Sequence, residues 1–89
     1  MSEGERRVER SYRGISLRLA VHYLENLGGE RIDDGRVVGD GWEARLAAEK
    51  RGVGPSLSLT EVTVTFEGDP ETLDALVERF SQKAMRAGG

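Results

Sequence analysis

Between two segments of helical periodicity the chain carries a stretch broken at short intervals by glycine turns, and this punctuation limits the fold more than any other feature. Gly28-Gly29 opens the stretch, Asp34-Gly35, Gly39-Asp40-Gly41 and Gly52-Val53-Gly54-Pro55 divide it, and Gly68-Asp69-Pro70 closes it. The pieces in between read as short antiparallel strands joined by tight turns. Asp34-Gly35, set between Glu30 to Asp33 and Arg36 to Val38, is a hairpin signal, because both residue types tolerate the backbone of a tight turn. After the next turn Trp42, Ala44, Leu46 and Ala48 alternate with Glu43, Arg45, Ala47 and Glu49, the pattern of a strand with one buried face. In Ser56 to Glu67 the residues Leu57 and Leu59 stand in one phase while Val62, Val64 and Phe66 stand in the other. That slip near Thr60-Glu61 predicts a bulge, or a segment whose two ends pack on different layers.

The flanks complete the architecture. Glu5 to Tyr12 is expected as a strand that puts Arg6, Val8, Arg10 and Tyr12 on one face. Gly14 breaks it, and Ser16 is placed to cap a helix whose apolar positions Leu17, Ala20, Val21, Leu24 and Leu27 recur at helical spacing. Gly28-Gly29 supplies the stop. At the other end Asp69-Pro70-Glu71 combines a capping side chain, a proline where its missing N–H does no harm, and an acid near the positive end of the helix dipole. A stripe of Leu73, Leu76, Val77, Phe80 and Ala84 then predicts a helix from Pro70 to Arg86. The order β-α-β-β-β-β-α implies an α+β class: two layers, with one curved antiparallel sheet and both helices on one face. A chain of 89 residues supports one core, so residues 5–86 are expected as a single domain, with 1–4 and 87–89 as flexible tails.

Composition removes most site chemistry. The chain has no Cys and one His, so disulfides, Cys-based metal sites and a thiol nucleophile are excluded. His22 has no identifiable acid to orient it as a base. Asp33-Asp34 beside the Asp-Gly turn reads as turn chemistry, since such side chains accept backbone N–H bonds. The glycine loops lack the Lys and helix N-terminus of a phosphate loop. A net charge of -3 opposes nucleic acid as a partner. No apolar run reaches the roughly 20 residues of a membrane span, and Met1 to Arg7 lacks the apolar segment of a secretory signal. The expectation is a cytoplasmic, non-enzymatic binding module with no metal or cofactor. Its ligand would be a small anion, met by Arg10, Tyr12 and Trp42 on a concave sheet surface; a further alternative is a protein-interaction module that uses an exposed sheet edge or the Arg-rich first strand. Gly88-Gly89 carries a second reading: a slim diglycine tail is what ubiquitin-like modifiers and sulfur carriers present to a transferring enzyme.

Two runs of residues add a resemblance. Ser11-Tyr12-Arg13-Gly14-Ile15-Ser16 leading into the first helix, and Pro55-Ser56-Leu57-Ser58-Leu59-Thr60-Glu61-Val62 running toward Gly68-Asp69, resemble the C-terminal domain of MoaD-related proteins. In that family the domain can follow a MoaD-like β-grasp domain, MoaD being the sulfur-carrying small subunit of molybdopterin synthase. The resemblance covers residues 5 to 86. It implies a TBP-like (helix-grip) architecture and a neighbourhood in molybdenum cofactor biosynthesis, without a catalytic motif. Against the diglycine reading stands the element order, for a β-grasp fold begins with a hairpin and delivers its tail from a final strand.

Overall fold

The computed structural model describes residues 5–88. In chain order the elements are β1 (Arg6–Arg13), α1 (Leu17–Asn26), β2 (Glu30–Asp33), β3 (Arg36–Gly39), β4 (Trp42–Gly54), β5 (Leu57–Gly68) and α2 (Pro70–Gly88). Local chemistry explains the ends of α1. Ser16 is extended and its Oγ accepts the Leu19 N–H at 3.0 Å, meeting one of the donors that a helix start leaves unpaired. At the other end Gly28 turns to φ 103°. The Gly28 N–H then reaches the Glu25 carbonyl at 3.1 Å and the Gly29 N–H the Leu24 carbonyl at 2.9 Å, the paired bonds of a Schellman stop. In α2 the Asp69 carboxylate accepts from the backbone N–H and the hydroxyl of Thr72, both at 3.3 Å.

All five strands form one antiparallel sheet in the order β1-β5-β4-β3-β2. Residues that face each other across an antiparallel pair share a side of the sheet, so the register assigns the faces. Val8 lies opposite Phe66, which lies opposite Ala44, which lies opposite Val37. Every buried hydrophobic side chain of the sheet, namely Val37, Trp42, Ala44, Leu46, Val62, Val64 and Phe66, falls on that one side. Helix α1 packs over β2, β3 and β4, and α2 over β1 and β5, both on the same side. The two-layer α+β arrangement expected from the element order is the one observed.

The core is built on Phe80, which is fully buried. Its ring meets Tyr12, Tyr23 and Phe66 edge-on at 5.0, 6.1 and 5.7 Å between centroids, a geometry favoured by the aromatic quadrupole. At the far end of the sheet Trp42 fits because two neighbours lack side chains. A Cβ on Gly29 would come within 2.7 Å of the indole, and one on Gly39 would strike the ring outright.

Two expectations need correction. No bulge occurs at Thr60-Glu61: β4 and β5 pair without interruption from Trp42–Gly68 to Gly52–Ser58, and the irregularity sits between Gly52 and Gly54. The turn is Pro55-Ser56, later than the glycine cluster alone suggests. The β4–β5 hairpin therefore extends as an arm beyond β1 and β3. There Ala48, though in phase with Leu46, is exposed, while Leu57 and Leu59 lie on the opposite side with 61% and 39% exposure. The phase changes because no helix covers the arm, so inward parity no longer means burial.

Candidate functional site

With both helices on one side, the other side of the sheet is open. Register places Glu9, Ser11 and Arg13 of β1, Glu61, Thr63, Thr65 and Glu67 of β5, and Glu43, Arg45, Ala47, Glu49 and Arg51 of β4 on it. Strand alternation explains why so many charges sit here, since this face never enters the core. Its centre is a shallow depression of about 500 Å³. The floor is small and uncharged: Ser11 Oγ and Thr63 Oγ1 share a hydrogen bond at 3.1 Å, beside Thr65 and Ala47.

The rim is ionic and already paired. Glu61 accepts from Arg51 at 2.8 Å and from Arg13 at 3.4 Å, and Glu49 lies 4.0 Å from Arg51. Nearer β3, Glu43 accepts from Arg36 at 2.5 Å and from Arg45 at 3.4 Å. The hydrogen bond from Arg51 holds the Glu61 carboxyl below its ordinary value of 4.5, and the one from Arg36 does the same for Glu43. In return Glu61 raises Arg51. Because the folded values are depressed, the stability these pairs contribute is present above pH 4.5 and is lost as pH falls through the lower folded values. Carbon-detected NMR titration should find both midpoints below that of a free glutamate. Arg51→Gln should move Glu61 upward and leave Glu43 in place; an unmoved Glu61 would contradict the pairing.

The residues expected to bind ligand do not converge. Arg10 lies on the helix-bearing side by register, opposite Val64, but on edge strand β1 it is exposed, and its Nη1 donates to the neighbouring Glu9 carbonyl at 3.1 Å. Tyr12 is half-buried against Phe80, its hydroxyl sharing a 2.8 Å hydrogen bond with Ser81 Oγ. Burial pushes its phenol above the ordinary value. Trp42 is only 7% exposed and forms part of a small slot of about 160 Å³ with Leu27, Thr72, Ala75, Leu76 and Arg79. Tyr12 faces Val62 at the middle of β5 and Trp42 faces Gly68 at its end, so the two rings stand roughly 20 Å apart along the strand. Gly88 is the last residue of α2, and Gly89 lies outside the described residues.

Asp33 Oδ1 accepts the Gly35 N–H at 2.9 Å, and Asp34 pairs with Arg31 at 2.5 Å; both aspartates serve the turn. His22 is exposed on α1. Among the described residues no three His, Cys, Asp or Glu side chains are placed to hold a metal ion, and no helix is long and apolar enough to cross a membrane. Sequence reasoning misses the open face because its threonines and charges look like ordinary strand exteriors. The available signal is the second phase of each strand, polar throughout in β1 and the inner half of β5 and interrupted by Ala47 in β4.

A family model described as "Archaeal MoaD-like protein" matches residues 8–89, nearly the whole chain. No curated protein matches it.

Proposed function

The chain belongs to the archaeal MoaD-like family, and from that membership we propose a non-enzymatic accessory module, set in molybdenum cofactor biosynthesis, that binds a protein partner through the helix-free face of its sheet. The observation that carries this reading is the make-up of that face: a small uncharged floor, a paired ionic rim, and the exposed Leu57 and Leu59 on the same side of the arm. A small anion finds a poor site there, because Arg13, Arg36, Arg45 and Arg51 each already face a carboxylate. A protein surface suits it better. One apolar side chain can cover the leucines while charged neighbours re-pair with the rim, as at the edge of an ordinary interface.

The test is purification of the endogenous protein with its partners, wild type against Leu57→Glu/Leu59→Glu. Both side chains lie outside the core, so the double variant keeps its fold. A partner present with wild type should be lost, since each carboxylate forced unpaired into an apolar contact costs at least about 1 kcal/mol, together at least ~30-fold in affinity. An identical partner set would reject the face. The diglycine reading has a separate test. A C-terminal thiocarboxylate, or Gly89 in isopeptide linkage, seen by mass spectrometry would replace the accessory reading by that of a carrier or modifier.

A further inference from the structure

The arm exposes more than leucines. Strand β3 covers β4 only along Trp42 to Arg45, and its last contact is the Leu46 N–H donating to the Gly35 carbonyl at 2.8 Å. Beyond Leu46 the outer edge of β4 has no strand beside it among the described residues. Since the Leu46 N–H points outward, alternation points the N–H and C=O groups of Ala48, Lys50 and Gly52 outward too. These are unmet backbone groups on an edge, the usual template for pairing with another strand.

We propose that this edge pairs with itself, joining two copies of the chain antiparallel about a two-fold axis at Lys50 that stands perpendicular to the sheet. In that register Lys50 faces Lys50 and Ala48 faces Gly52 in hydrogen-bonded positions, so all the outward groups of residues 48–52 find partners. Glu49 of each copy faces Arg51 of the other in the non-hydrogen-bonded positions, where side chains approach most closely. The opposed Lys50 ammoniums occupy the wider positions, on long stems that diverge into water. The ends also fit. Past the irregularity after Gly52 each arm tip at Gly54-Pro55 comes about level with Leu46 of the other copy, so it stops near the Asp34-Gly35 turn there.

The other long edge is less complementary to itself. Strand β1 also has one free side. Its longest register opposes Arg10 to Arg10 and Arg7 to Arg13, and the next opposes Glu9 to Glu9. Glu9 meets Arg13 in a shorter register centred on Ser11, where they occupy the wider, hydrogen-bonded positions and not the close ones that Glu49 and Arg51 take at β4. Pairing at β4 keeps the four helices on one side and makes the open faces continuous across ten strands.

Analytical ultracentrifugation of the whole chain at roughly 100 μM, a loading suited to a small and therefore weak interface, tests the proposal. Wild type should sediment as a dimer. Glu49→Arg alone and Arg51→Glu alone place like charges at both cross-copy pairs, and each should weaken dimerisation at least tenfold. Mixed in equal amounts they should form a heterodimer, because both pairs are then opposite in charge. A monomeric wild type overturns the proposal. So does a dimer that the single variants leave intact, or a mixture that fails to associate; normal circular dichroism of each variant separates these outcomes from misfolding.

Discussion

Phe80→Ala should remove most of the stability of the fold. Removing a fully buried phenylalanine costs about 3–5 kcal/mol, the lost transfer free energy plus the cavity left behind. Here the cavity has little chance of closing, because Tyr12, Tyr23 and Phe66 all meet the ring from elements held by the sheet or by α1. A domain of this size has a thin core and a stability near the low end of about 5–15 kcal/mol, so one substitution removes most of it. Urea unfolding followed by the fluorescence of Trp42 measures the loss. A decrease below about 1.5 kcal/mol would mean that Phe80 is not the centre of the core.

Gly68→Ala is expected to be nearly as damaging for an unrelated reason. Gly68 ends β5 at φ 148°, a region closed to side chains by sterics. A Cβ there would also run into the Gly41 carbonyl oxygen and lie 2.8 Å from Trp42 Cα. These are backbone atoms of the β3–β4 turn, and they cannot swing aside as a side chain can. A loss of about 2–4 kcal/mol is expected. Gly52→Ala is the control, since an added Cβ there meets nothing within 4 Å and the backbone has no positive φ. It should change stability by less than about 1 kcal/mol, on the stabilising side if the lost freedom of the unfolded chain dominates. Equal losses in the two variants would show that glycine content, not the contact at Gly68, governs the effect.

Features that depend on a few neighbouring residues are legible in the amino-acid sequence alone. Ser16, Asp69-Pro70 and Asp34-Gly35 act through bonds to residues two or three positions away, and each marks an element end as its chemistry predicts. The stripes of both helices and the inward phase of β4 are equally plain. Tyr12 and Trp42 read alike as site or core residues, because an aromatic on an inward phase has the same appearance whether it lines a cleft or fills a core. Phe80 and Ser81 decide that question for Tyr12, and they lie nearly the whole chain away. The open face escapes notice for a similar reason, since its floor joins Ser11 to Thr63 only once β1 is set beside β5.

Short-range sterics and periodicity are enough to establish the order of elements, their caps and turns, and the side of each covered strand that faces inward, so the residues carry those features without help from the rest of the molecule. Only the assembled fold settles that β1 lies against β5, that the helices end short of the arm, and hence that Leu57, Leu59 and the β4 edge stand free. Those outcomes depend on which distant surfaces bury one another, and no local pattern encodes the length of sheet that two helices can cover.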